Sequence, residues 1–109
     1  MREFQQIVNL VEEINTNHKH HLSSLGESDK LLLVIKSEDG KTFLIKISRN
    51  GLEIIKEQPV TEFKNIVEIS LKDLLKLMNH KSYIIRYMMT GKIKVKGNIK
   101  KVFDILQNL

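Results

Sequence analysis

The 109-residue chain has no cysteine, which removes disulfides, thiolate catalysis and cysteine-ligated zinc from consideration. It has a single proline, and no stretch of eighteen residues is free of charge, so a membrane-spanning helix is not expected. The opening MREFQQIVNLVEEIN lacks the unbroken apolar run of a signal peptide, and the ending LQNL is not a prenylation or peroxisomal signal. These absences lead to the expectation of a cytoplasmic protein. What is present, 41% hydrophobic and 28% charged residues, fits one soluble globular domain over residues 1–109.

Acidic residues are scarce in one part of the chain. Residues 1–70 hold 9 Lys/Arg against 11 Asp/Glu, whereas residues 71–109 hold 9 against 2. From Lys81 to Lys101 there are seven cations and no acid. Such a segment can attract phosphates on a lipid headgroup, a nucleotide-bearing ligand or nucleic acid, or it can be a solvated lysine face.

Apolar spacing supplies the elements. Phe4, Ile7, Val8, Val11 and Ile14 recur at helical spacing over residues 3–16. The run LLLVIK (31–36) reads as a strand covered on both faces. Asp39-Gly40 and Asn50-Gly51 are hairpin turns that join it to Phe43/Ile45/Ile47 and Leu52/Ile54, giving a three-stranded meander. Pro59 marks a loop, and Phe63, Asn65, Val67 and Ile69 alternate as a fourth strand.

Ser70 and Asp73 have capping-box spacing before a helix with Leu71, Leu74, Leu75 and Met78 on one face. A second helix, Tyr83–Thr90, is apolar almost all round and is expected to be buried on several sides or to line something. Between Gly91 and Gly97 lies a strand with Ile93 and Val95 inward and Lys92, Lys94 and Lys96 outward. Asn98 then caps a last helix whose stripe is Ile99, Val102, Phe103 and Leu106, with Ile105 and Leu109 off that stripe. The order predicts an α+β fold with helices on one side of a largely antiparallel sheet.

Chemistry is sparse. Asn17-His-Lys-His-His21 offers two nitrogens that could share a helix face, which leaves a tetrahedral metal site half empty. No glycine-rich phosphate loop follows a strand, and neither catalytic residues nor a cofactor or metal is expected. The basic strand has no aromatic neighbours on which bases could stack, so nucleic acid is disfavoured. Lysines on such a strand also guard an edge against pairing.

The ordered set Val67-Glu-Ile-Ser70, Leu71-Lys-Asp-Leu-Leu-Lys-Leu77, Gly91-Lys-Ile-Lys-Val-Lys-Gly-Asn98 and Leu106-Gln-Asn-Leu109 resembles the C-terminal half of the sterol carrier protein type-2 (non-specific lipid transfer protein) domain. Residues 1–58 match that family only in architecture. The resemblance implies a five-stranded, largely antiparallel sheet covered by helices on one face. It also implies a non-enzymatic carrier with an apolar tunnel between sheet and helices for a fatty acid, fatty acyl-CoA or sterol-like lipid. Asn79-His80-Lys81-Ser82 departs from the Gly-Lys pair that commonly follows the leucine-rich helix, so that turn and the adjoining wall differ.

Carried over from the resemblance are Gly91 and Gly97 as turn points, Ile93 and Val95 as inward strand residues, Phe103 and Leu106 as tunnel-facing residues, and Gln107. Helical position and side-chain type add Leu74, Met78, Tyr83, Ile84, Tyr87 and Met88 to the wall. The implied partners are a lipid or acyl-CoA and, through the basic 81–101 segment, an anionic membrane. The alternative is a non-catalytic interaction or homodimerisation module with a filled core, using Ile105 and Leu109 as its partner surface.

Overall fold

A computed structural model of the protein describes residues 2–56 and 62–109. The predicted loop at Pro59 lies outside them. Helix α1 (Arg2–Asn17) is followed by strands β1 (Leu31–Lys36), β2 (Thr42–Ser48), β3 (Gly51–Ile55) and β4 (Asn65–Ser70). Helix α2 (Leu71–Asn79), helix α3 (Ile84–Thr90), strand β5 (Lys94–Lys96) and helix α4 (Ile99–Gln107) complete the chain. Short 3-10 turns at Lys19–Leu22, Glu27–Asp29 and Lys81–Tyr83 link the elements.

The five strands form one sheet in the order β3-β2-β1-β4-β5. Every pairing is antiparallel except β1 with β4, in which Leu33 lies beside Val67. β1 is therefore central, flanked by its own hairpin partner and by a strand from the other half of the chain.

Strand alternation divides the apolar residues between two faces. Leu31, Leu33, Ile35, Ile45, Ile47, Val67 and Ile69 join buried residues of all four helices in one core. Leu32 and Val34 point the other way and pack with Phe63, Leu44, Ile55 and Ile66 on the outer face. This explains the unbroken run LLLVI, since each face of the central strand has its own cover. Phe63 is a correction to the predicted alternation. It precedes β4 and caps the outer cluster instead of sharing a face with Val67.

α1 is tied to the sheet by a polar contact as well as by its apolar face. The Asn15 side chain accepts from the Leu52 N–H at 2.8 Å and donates to the Leu52 carbonyl at 3.0 Å. It thus satisfies backbone groups of edge strand β3 as a neighbouring strand would. Nothing in the apolar periodicity pointed to Asn15.

Two predicted faces need correction. Ile105 and Leu109, expected off the α4 stripe, are buried at 3% and 4% exposure in the main core, so they form no partner surface. Ile99, expected on the stripe, is 63% exposed. The buried arc of α4 is centred on Val102, Ile105 and Leu106, which leaves Ile99 and Phe103 on its margin. Likewise α3 buries only Ile84 and Tyr87 fully, while Ile85 and Met89 face outward.

Candidate functional site

The C-terminal half is positioned by a chain of caps. Ser70 ends β4 in an extended conformation and its hydroxyl accepts from the Asp73 N–H at 3.1 Å, starting α2. After α2, the His80 N–H donates to the Leu77 carbonyl at 3.0 Å, and the His80 ring stacks on Tyr83 with centroids 5.0 Å apart. The Lys81 ammonium donates to the Leu109 carbonyl, joining the α2–α3 turn to the end of α4. Partial burial pushes the Lys81 ammonium below its usual pKa, because desolvation disfavours the charged form.

Gly91, with φ +82°, reverses the chain after α3, and the Ile93 N–H donates to the Tyr87 carbonyl at 3.1 Å. Ile93 is thereby drawn into the core before β5 begins. Lys92 lies over the Tyr87 ring, 5.0 Å from its centroid. β5 pairs antiparallel with β4, setting Val95 opposite Val67 and Lys94 opposite Glu68. The Lys94 ammonium stands 3.7 Å from the Glu68 carboxylate on the outer face.

Gly97 then brings the backbone against the start of β4. Asn98 donates its N–H to the buried Asn65 Oδ1 at 2.9 Å, and its own Oδ1 accepts from the Lys101 N–H at 3.0 Å to cap α4. The capping role of Asn98 was legible in the sequence. The anchoring role of Asn65 was not.

Between α3 and α4 lies an apolar groove of about 510 Å³ lined by Ile85, Met88, Met89, Ile99, Lys100 and Phe103. Of the candidate wall residues, Met88 and Phe103 line it directly. Leu74, Ile84, Tyr87, Ile93 and Leu106 are buried in the core, and Met78, Tyr83 and Val95 are half-buried against it. Gln107 is exposed on α4, one turn beyond Phe103. The structure thus separates the candidates into a packed interior layer and an open lip. Ile85, Met89, Ile99 and Lys100 belong to the lip and were not selected as ligand residues. The signal for them was present, since an α3 apolar all round cannot bury every side against one sheet.

Among the described residues no group of three or more His, Asp or Glu side chains could hold a metal ion. The His18 and His21 rings are 5.7 Å apart, and His21 Nδ1 lies 3.0 Å from the Asn108 carbonyl, so that nitrogen serves α4.

With this frame in view, the model of the SCP-2 sterol transfer family matches residues 9–107. The chain belongs to that family. Its class is that of a lipid- or sterol-binding or transfer domain, generally a non-catalytic carrier. The fold of this SCP-2 domain is that of solved relatives. Sterol Carrier Protein 2 Like 2 from Aedes aegypti aligns with TM-score 0.69 and 14% identity over 96% of this chain and 97% of that one. Sterol Carrier Protein 2 from Yarrowia lipolytica, in its apo form, aligns with TM-score 0.64 and 21% identity over 91% of each chain. Palmitated SCP2L2 from Aedes aegypti aligns with TM-score 0.63 and 15% identity, covering 92% of this chain and 90% of that one. No curated protein matches the sequence. Among the described residues of this SCP-2 domain no helix is long and apolar enough to cross a membrane.

Proposed function

We propose that residues 1–109 act as one cytoplasmic lipid carrier that takes the apolar tail of a fatty acid, fatty acyl-CoA or sterol-like molecule at the α3–α4 groove. The observation that carries this reading is the groove itself, whose lining is apolar except for Lys100. Its volume of about 510 Å³ falls in the range of small-molecule sites. The palmitated state of one structural relative is in keeping with an acyl ligand.

Tail binding here works by shape and burial, at about 0.8 kcal/mol per methylene removed from water. Ile84, Tyr87 and Leu106 are buried core residues of the same two helices, and Met88 and Phe103 both line the groove and pack against that core. Met88 is unbranched and Phe103 sits at the margin of its helix, so these two can rotate to admit a tail between sheet and helices. In this scheme the tunnel of the family-like reading is an inward extension of the groove, opened by the ligand. Lys100 borders the groove, and in this scheme its ammonium meets a carboxylate or the CoA phosphates.

Displacement of a fluorescent fatty acid, together with native mass spectrometry of the gently purified protein, tests the reading. Saturable displacement that weakens on the order of tenfold in Phe103→Glu, with the fold retained, is expected. No displacement at micromolar protein and no bound lipid would sink it.

A further inference from the structure

We infer that Met88 and Met89 are a pair of oxidation sites at the groove, through which hydrogen peroxide makes the lining polar and lowers its hold on an apolar tail. The loss of affinity rests on the carrier reading, whereas the site itself does not.

The chain has four methionines and no cysteine, so no thiol stands ahead of the thioethers as a sink for peroxide. Met88 and Met89 are adjacent near the end of α3, and both line the α3–α4 groove. They differ in access. Met89 is 82% exposed, whereas Met88 is half-buried and packs against the core. Met78, on α2, is also half-buried against the core but does not line the groove. Access sets the order of attack, so Met89 reacts first, Met88 follows through the open groove, and Met78 is slower than both.

Hydrogen peroxide is the one co-reactant the step needs. A sulfur lone pair attacks a peroxide oxygen, an S–O bond forms and the O–O bond breaks. The thioether gives up two electrons to become the sulfoxide, and the peroxide is reduced to water. The dithiol of a sulfoxide reductase reverses this, supplying two electrons and becoming a disulfide while the oxygen leaves as water.

The effect on a tail follows from what surrounds the two sulfurs. Besides the methionines, the groove is lined by Ile85, Ile99 and Phe103, with Lys100 as the polar member among the described residues. Only the Lys100 side chain in that lining can donate a hydrogen bond to a sulfoxide oxygen. In the free protein water solvates that oxygen, and an entering tail strips the water without replacing its bonds. Oxidation therefore penalises the bound state more than the free one. The coupling is reciprocal, so a tail lying over the sulfurs protects them from peroxide.

Graded treatment with hydrogen peroxide tests this, with peptide mapping by mass spectrometry, fluorescent fatty-acid displacement and circular dichroism read on the same samples. Sulfoxide is expected at Met89 before Met88 and at Met78 last. Displacement is expected to weaken on the order of tenfold as Met88 and Met89 oxidise. It should return after treatment with methionine sulfoxide reductases for both epimers, and bound palmitate should slow oxidation of the two residues several-fold. Met88→Leu/Met89→Leu is compared with itself, and its displacement before and after peroxide should be equal whatever its starting affinity. Oxidation of Met78 as early as Met89 overturns the site. Equal displacement before and after full oxidation of Met88 and Met89 overturns the loss of affinity, and there the carrier reading survives. Displacement lost together with the circular dichroism signal assigns the effect to the core and overturns it as well. Ordered oxidation with no displacement by the reduced protein upholds the site and removes the carrier reading.

Discussion

Replacing Gly97 by alanine should unfold the C-terminal frame out of proportion to the single methyl group added. Gly97 has φ +121°, a conformation that residues with a side chain rarely adopt and that costs about 1–3 kcal/mol when forced. A Cβ there would also lie 2.4 Å from the Lys64 carbonyl oxygen, 2.5 Å from Asn65 Oδ1 and 3.0 Å from Asn65 Cα. Two of those atoms are backbone at the entry to β4 and cannot rotate away. Displacing Asn65 would break its bond from the Asn98 N–H, and an unsatisfied buried group adds about 1–3 kcal/mol. Together these give a loss of about 2–6 kcal/mol, a large part of the stability of a domain this size. The melting temperature should drop by at least about 8 °C. Gly91→Ala is the control, because φ there is +82° but no atom lies within 4 Å of the added Cβ. It should cost only the left-handed penalty of about 1–2 kcal/mol. Urea unfolding followed by circular dichroism measures both. Equal losses in the two variants would refute the argument that contact with β4, rather than torsion, makes Gly97 indispensable.

Other predictions concern packing and pH. Asn15→Ala, which removes both bonds to Leu52, should cost about 2 kcal/mol in urea unfolding and raise amide exchange in β3. Ile105→Ala should cost about 2–5 kcal/mol and Ile99→Ala less than about 0.5 kcal/mol, and the opposite ranking would restore the sequence-based stripe. The Ser37 hydroxyl, and then the Lys41 N–H, hold the Asp39 carboxyl below its ordinary 3.8. Its contribution is therefore present above pH 3.8 and is lost as pH falls through the lower folded value. Asp39→Asn should flatten that part of the acid limb in urea midpoints measured against pH.

Most elements were legible because their signals are local. The hairpin turns Asp39-Gly40 and Asn50-Gly51 and the Ser70 and Asn98 caps need only neighbours a few residues away, and they appear as predicted, whereas the α1 stripe is shifted, with Leu10 buried beside Ile7, Val11 and Ile14 and Phe4 43% exposed. Errors arose where burial depends on distant partners. Val102 and Leu106 are consistent with either Ile99 or Ile105 as a third member, and the choice is made by the elements packed around α4. Phe63 continues the alternation of β4 in sequence, yet it precedes the paired region and meets Leu32 and Val34 across the outer face. For the site, residue type picked out Met88 and Phe103, which line the groove. It could not separate them from Leu74, Ile84 and Leu106, because apolar side chains in the core and at a groove look alike until the helices are placed.

The parallel β1–β4 pair limits how far the groove-bearing half can be treated as a part. Residues 65–109 contain α3, α4 and the groove, but of the sheet they keep only β4 and the three paired residues of β5. The surface beneath their helices is largely supplied by Leu31, Leu33 and Ile35 from earlier in the chain. A two-stranded remnant of that size is marginal in water. A peptide of residues 65–109 is therefore expected to give a coil-like circular dichroism spectrum and to gain helix when residues 2–56 are supplied as a separate chain. Grafting the groove onto another protein would require moving the central strand with it.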